Sequence, residues 1–489
     1  MQDSVWMKTM MGWSLVGGVL PWTVFGVTTL VAVVLLALMI VGEIHPRPCH
    51  TSPDSQSAVP GASASAASGR AAHLTLWSRP LPLSTIVMVA AAMVGTLAAW
   101  LVSDVFLVFG VSLGWPVICT IGAGIAALGF AIAAAARTHR MRRVCAIALV
   151  PLILISTGLG VDGIYGEYQT VGSLVGYAPY ASIDSVDVHK SAMSVTQWLA
   201  NAQRDALPDI PQQGKVLTVD IPNTRSDFHA RRAMIYLPPA ALSKQPPALP
   251  VMELLAGQPG SPGRLIAAGG IAAMMNGYAA RHHGLAPIVL VPDQNGADTH
   301  NSLCADTTQG NAETYLTQDV VAWAKRTLPV ATDASMWAIG GFSQGGTCTT
   351  QLAPRHPEIY GAMLPVDGEL KPTNGTVDEM VRDYFAGDRA AYDAQVPVNA
   401  IDATGSSSQA LFAGAGERDT ESIKNMRTIA AAARKAGMEV TELLVPNTGH
   451  DWHAVQAVWK PGLEWFGQRT GLGTMTKSLK GYSQVEVLQ

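Results

Sequence analysis

The sequence predicts a multi-span α-helical membrane domain followed by a doubly wound, mostly parallel α/β sheet. Two observations carry this reading. Four apolar runs, each about 20 residues long as a membrane helix requires, crowd the first third, which is almost free of acidic side chains. From about residue 185 onward, short β-branched runs alternate with helical patterns, as strand–helix–strand units do. A chain of 489 residues exceeds one ordinary domain. The expected division is a membrane domain at 1–165, a connector at 166–214, the α/β domain at 215–470 and a C-terminal tail at 471–489.

The four spans fall at residues 22–41, 83–102, 115–136 and 144–163. Helices of that length match the roughly 30 Å hydrocarbon core of a bilayer. A cleaved signal peptide is the competing reading of the first span. Its apolar run is long for such a peptide and no clear A-x-A site follows, which favours an uncleaved helix. Basic residues orient the spans. Arg137, Arg140, Arg142 and Arg143 crowd the connection after the third span, and Arg47, Arg70 and Arg79 lie between the first two, whereas residues 103–114 hold no Lys or Arg. The positive-inside rule then places the N-terminus and everything after the fourth span outside the cytoplasm. Segment 51–72, rich in Ser, Ala and Gly, reads as a flexible loop. Asp104 and Asp162 stand near span ends and no charged residue is central in any span, so the helices read as an anchor, or alternatively a lipid-access module, rather than a transporter.

Charge and cysteine usage exclude other classes. Lys and Arg number 32 against 36 Asp and Glu, and no basic block points to nucleic acid. The five cysteines, Cys49, Cys119, Cys145, Cys304 and Cys348, form no CxxC or Cys/His pattern, so no metal is expected. Cys119 and Cys145 fall in apolar spans as small hydrophobes. Cys304 and Cys348 are a possible disulfide if their domain is exported. No dinucleotide fingerprint follows the first parallel strand, so no cofactor is expected.

In the soluble part an amphipathic helix is expected around 192–204. An antiparallel strand pair at 215–221 and 228–237 follows, then strands at 250–255, 287–291, 336–340, 362–366, 410–413 and 439–445. Helices at 266–282, 313–327 and 420–436 fall between strands, which makes the sheet largely parallel.

The chemistry rests on Gly341-Phe342-Ser343-Gln344-Gly345, a G-x-S-x-G sequence between a buried strand and a helical run. Such a serine must sit on a tight turn so that its hydroxyl projects from the sheet edge, and small neighbours allow strand and helix to approach. Serine needs a base. His450 fits, on a Pro-Asn-Thr-Gly loop after the last strand, with His453 as rival. The third member is a carboxylate after the penultimate strand. Gly416-Glu417-Arg418-Asp419 offers Asp419, with Glu417 as the alternative acid and Asp367, after the preceding strand, as a lesser candidate. The order Ser, Asp, His is that of α/β-hydrolases. Two N–H donors must hold the oxyanion: the backbone of Gln344, and Gln258 in the loop after strand 250–255, where Gly257 permits the turn.

Leu249-Pro-Val-Met-Glu-Leu-Leu-Ala-Gly257, the Gly341–Gly346 elbow and Gly449-His450-Asp451-Trp452 resemble the esterase family of esterase D (S-formylglutathione hydrolase), feruloyl esterases, enterochelin esterases and the antigen 85 mycolyltransferases. The resemblance covers roughly residues 215–467. It implies an α/β-hydrolase fold, triad roles for Ser343, Asp419 and His450, and oxyanion roles for Gln258 and Gln344. One departure is Ala256-Gly257, where the family often has His-Gly. Four spans followed by such a domain with Asn311-Ala-Glu-Thr-Tyr-Leu-Thr317 is similar to a group of actinobacterial membrane esterases.

The leading expectation is therefore an extracytoplasmic serine esterase in a lipid bilayer, acting on a lipid or cell-envelope ester. Acyl transfer to a sugar or lipid hydroxyl is the second reading, and a non-catalytic envelope scaffold the third.

Overall fold

The computed structural model describes residues 5–44, 79–106, 108, 112–177 and 179–488. The loop expected at 51–72, with Arg47, Cys49 and Arg70, lies outside the described residues. The chain forms two compact units, one of Trp13–Ile164 and one of Met1–Gly12 with Tyr165–Gln489.

The first unit is helical. Val19–Ile44, Pro80–Val105, Gly114–Arg137 and Met141–Tyr165 are 24 to 26 residues long and apolar enough to cross a membrane. Each expected span lies inside one of them. Small residues let the helices approach: a methyl on Gly122 would sit 2.2 Å from Thr96 Oγ1, and one on Gly129 would sit 2.8 Å from Ala91 Cβ. Close backbone packing of this kind holds helices together where lipid supplies no hydrophobic drive. Thr28 and Ser156 add an interhelical hydroxyl contact at 2.8 Å. Leu35, Met39, Ala131, Ala134, Ala146, Leu149 and Ile153 form the buried centre, while Trp22, Leu30, Val94, Ile132 and Ile147 face outward. An outward apolar surface is the one that hydrocarbon solvates and water does not.

The second unit is built on a ten-stranded sheet. In chain order its strands are β1 (Ala181–Ser182), β2 (Lys215–Val219), β3 (Ala233–Leu237), β4 (Val251–Leu255) and β5 (Ile288–Val291). After a small hairpin, β6 (Asp306–Thr307) and β7 (Gly310–Asn311), come β8 (Trp337–Phe342), β9 (Ala362–Val366), β10 (Ala410–Gly416), β11 (Glu439–Val445) and β12 (Glu486–Val487). The spatial order is β1-β2-β3-β5-β4-β8-β9-β10-β11-β12. From β5 to β11 every pairing is parallel, while β3 runs antiparallel to both β2 and β5. This is an α/β-hydrolase sheet. Its central strands β4, β5, β8 and β9 are buried along their whole length, as helices on both faces demand.

Several expectations needed adjustment. The strand expected at 228–237 begins only at Ala233, because the Arg231 backbone N–H and guanidinium turn to Asp293, at 2.7–2.9 Å, instead of a ladder. The helix expected at 266–282 is two, Pro262–Ala268 and Ile271–Arg281, divided where Gly270 takes φ 62°. The one expected at 313–327 contains a π-helical stretch, Tyr315–Val320. Between β9 and β10 lie three helices the pattern did not reveal, Val377–Asp383, Arg389–Asp393 and Pro397–Thr404. The first two carry Met380, Tyr384 and Tyr392 into a separate apolar cluster with Leu303, Ala305 and Phe385.

Candidate active site

The nucleophile candidate sits where β8 gives way to the helix Gln344–Arg355. Ser343 takes φ 57° and ψ −118°, a conformation that non-glycine residues avoid unless the surroundings impose it. The surroundings here are backbone. A methyl on Gly341 would lie 2.3 Å from Gly345, and one on Gly345 would lie 2.1 Å from the Leu255 carbonyl oxygen. Only glycine allows β8, β4 and the helix to meet so closely. The Ser343 N–H donates to the Val366 carbonyl at 3.0 Å, which ties the turn to β9.

The acid and the base meet at the same sheet edge. Asp419 follows β10 and caps the helix Thr420–Lys435, its Oδ1 accepting the Ser422 N–H at 3.1 Å. Its Oδ2 lies 2.7 Å from His450 Nδ1. The alternative acid, Glu417, is exposed and accepts the Asn447 N–H at 2.7 Å. His453 is exposed on the helix Trp452–Arg469. The His450 loop is pinned from one side chain: Asp451 accepts the N–H of Gly449 at 2.7 Å and of Ala454 at 2.9 Å. The Phe342 ring, next to Ser343 in sequence, stands 4.9 Å from the imidazole and 4.9 Å from Trp452.

Burial and charge compete at this edge. Burial raises the Asp419 carboxyl, but the His450 hydrogen bond and charge, with the Ser422 bonds, outweigh it and hold Asp419 below the usual range. Burial lowers His450, yet the bond to Asp419 and the charges of Asp367, Asp419 and Glu369 leave it raised. Asp367, after β9, is 1% exposed. Burial pushes it up to about 8. Glu369 is likewise raised by burial.

The oxyanion candidates flank the serine. Gln344 opens its helix, where first-turn N–H groups have no intrahelical acceptor. The loop after β4 lies over Ser343: a methyl on Gly257 would come within 3.4 Å of Ser343 Cβ, and half-buried Gln258 precedes a cis proline. Two residues after β5 support both donors. Gln294 donates to the Ala256 carbonyl at 2.7 Å, and Asn295 exchanges amide hydrogen bonds with the Gln344 side chain at 2.7 and 2.9 Å. Gln344 Nε2 also donates to Asn301 Oδ1 at 2.7 Å. The sequence reading missed this amide network. The signal was present, because Asp293-Gln-Asn-Gly296 leaves β5 at the carboxyl edge, where doubly wound sheets bind ligands.

Cys304 and Cys348 are bonded, with Cα atoms 5.7 Å apart, and join this loop to the serine's helix. On the other flank, Glu167 accepts the Trp452 indole N–H and pairs with Arg264 at 3.2 Å.

A serine elbow on a doubly wound sheet, with a His–Asp pair at the same edge, defines a serine hydrolase of the α/β-hydrolase class. The family model described as "Putative esterase" matches residues 228–465. An uncharacterised protein of Corynebacterium glutamicum is 31% identical over 342 residues, covering 69% of this chain and 78% of that protein. The chain belongs to this esterase family and is an enzyme that acts on carboxylic esters. Solved structures with a similar fold include a ferulic acid esterase, 19% identical over 53% of this chain and 99% of that one, with a TM-score of 0.44. An S-formylglutathione hydrolase from Agrobacterium tumefaciens is 16% identical over 54% of this chain and 99% of its own, with a TM-score of 0.44. MPT51 of Mycobacterium tuberculosis is 15% identical over 54% and 99%, with a TM-score of 0.39.

Proposed function

We propose that this protein is a membrane-anchored, extracytoplasmic serine esterase that cleaves an ester of a lipid or cell-envelope component. The observation that carries the mechanism is the 2.7 Å contact between His450 Nδ1 and Asp419 Oδ2 at the edge that bears the Ser343 elbow. With Nδ1 engaged as donor to the carboxylate, Nε2 is the nitrogen left to act as base. Ser343 Oγ attacks the ester carbonyl carbon while His450 takes its proton. The oxyanion forms against the N–H groups of Gln344 and Gln258. The carbon–oxygen bond to the alcohol then breaks, and His450 returns the proton to the departing oxygen. Water repeats the sequence on the acyl-serine, releasing the acid and restoring Ser343.

Three features support the location. Four helices have the length and apolar surface of membrane spans, and the catalytic unit takes up the chain at Tyr165, where the last of them ends. The arginines around the third connection favour catalysis outside. A buried disulfide suits an oxidising compartment. An anchor raises the encounter rate with a substrate confined to the same surface, which favours a lipid or envelope ester.

The test is fluorophosphonate labelling of the full-length protein against Ser343→Ala. Labelling that vanishes in the variant supports an activated serine, and an unlabelled, folded wild type would overturn the mechanism. Hydrolysis of acyl lipids in vesicles, compared with short soluble esters, reads the substrate class. Adding a sugar or lipid alcohol shows whether the acyl group passes to water or to the acceptor.

A further inference from the structure

A carboxyl that the triad does not use lies behind it. Asp367 leaves β9 as Asp419 leaves the neighbouring parallel strand β10, and the two strand ends are stitched together. The Asp367 N–H donates to the Gly414 carbonyl at 3.1 Å. Its Oδ1 accepts the Gly416 N–H at 2.9 Å, three residues before Asp419. To make both contacts its backbone takes φ 48°, in the left-handed region. One oxygen of Asp367, one of Asp419 and one ring nitrogen of His450 lie within 4.8 Å of one another. Oδ2 of Asp367 is fully enclosed and has no hydrogen-bond partner among the described residues.

Two buried carboxyls this close do not both ionise at neutral pH, because like charges and poor solvation oppose the second ionisation. Asp419 has two stabilising partners for its charge, the His450 ring and the Ser422 N–H. Asp367 has one backbone N–H and an empty-handed second oxygen, so the proton belongs on Asp367. The groups facing Asp367 are His450, Asp419 and Asp451. Those facing His450 are Asp419, Asp367 and Glu369.

We propose that Asp367 is a positioning residue of the catalytic centre, which fixes the strand end that carries Asp419 and shares one proton with the His450–Asp419 pair. This rests on the triad proposed above and deepens it. The resting centre then holds one negative charge, on Asp419, opposite the imidazole. An ionised Asp367 favours the imidazolium and an imidazolium favours an ionised Asp367, so each group's charge sets the other's proton affinity and the two titrate as a coupled unit.

The experiment follows the second-order rate of fluorophosphonate labelling against pH for the full-length protein and Asp367→Asn. The amide accepts the Gly416 N–H as the acid does but holds no proton to share. The acid limb of the labelling rate is expected to move to lower pH by about one unit, because the variant lacks the form of the shared-proton centre in which an ionised Asp367 holds His450 charged. Asp367→Ser, smaller and also uncharged, must move the limb the same way, which covers a failure of the amide to fit. Superimposable limbs in wild type and both variants would overturn the role of Asp367 while leaving the triad intact. Wild-type labelling that is lost in Ser343→Ala and in His450→Gln keeps that triad distinct; its absence would sink the triad itself.

Discussion

His450 Nδ1 and Asp419 Oδ2 stand 2.7 Å apart, with the two side chains 10% and 11% exposed. Burial to this degree shields the pair from competing water, and the short contact favours the tautomer with the proton on Nδ1, the one the proposed mechanism needs. The neighbouring acid Glu417 is engaged elsewhere, with Asn447. Arg418 alone thus separates the carboxylate proposed to orient the base from one that ties down the neighbouring loop.

Asp419→Asn is therefore expected to lower kcat by roughly a thousandfold to ten-thousandfold, the range in which a triad acid acts when its histidine is left in the wrong tautomer. Glu417→Gln, which still accepts the Asn447 N–H, should cost no more than about threefold, the scale of a surface change with its hydrogen bond kept. Steady-state kinetics on one soluble ester compares the two. Equal losses, or a larger one at Glu417, would overturn the assignment.

The proposed base also defines a pH window. His450 must be neutral to take a proton, and the carboxylates around it hold its proton more tightly than an ordinary imidazole does. The acid limb of kcat/KM is thus expected above 6.5, the ordinary histidine value. Stability runs the other way. A histidine raised on folding contributes stability that is complete below its unfolded value and is lost as pH rises through its folded value. An acid limb below 6.5 would show that burial, not the carboxylates, governs His450.

What could be read from the sequence divides along physical lines. Ser343, Asp419 and His450 follow strands whose apolar runs are self-evident, and a residue at the end of a buried parallel strand has few places to go. Asn295, Asn301 and Gln294 act through side-chain hydrogen bonds across 38 to 49 residues of chain, a distance no local pattern encodes. Asp367 was visible as a strand-end carboxylate, yet its closeness to Asp419 depends on β9 and β10 being neighbours. The helices between β9 and β10 were hidden because they are five to eight residues long, too short for a helical period to emerge.

A second buried acid predicts a pH dependence of stability unrelated to catalysis. Glu253 lies in the centre of β4 at 0% exposure. It accepts the Tyr360 hydroxyl at 3.0 Å and has no partner for Oε1 among the described residues. Burial raises it to about 8 from an ordinary 4.5. Between those values the native state keeps a proton that the unfolded chain releases, so stability falls as pH rises from 4.5 to about 8. Glu253→Gln still accepts the tyrosine hydroxyl and has nothing to ionise. Its Tm should equal or trail the wild type near pH 4.5 and exceed it near pH 8. Parallel Tm curves across that range would show that Glu253 is not held protonated.

The disulfide should matter twice, for stability and for the site. Cys304 and Cys348 are 44 residues apart in sequence, and closing a loop of that size removes about 4 kcal/mol of unfolded-state entropy in the chain-entropy account. The bond also anchors the loop holding Asn301, which accepts from the Gln344 side chain at 2.7 Å. Replacing both cysteines by serine should therefore lower Tm and slow fluorophosphonate labelling together. A lower Tm with an unchanged labelling rate would separate the loop from the oxyanion site. The same pair reports on compartment, because thiols facing the cytoplasm stay reduced. In cells lysed directly into denaturant with the alkylating agent, Cys304 and Cys348 should stay unmodified, and both should react only after reduction. Two free thiols in the cell would place the catalytic unit on the cytoplasmic side and overturn the proposed orientation, whatever the arginines imply.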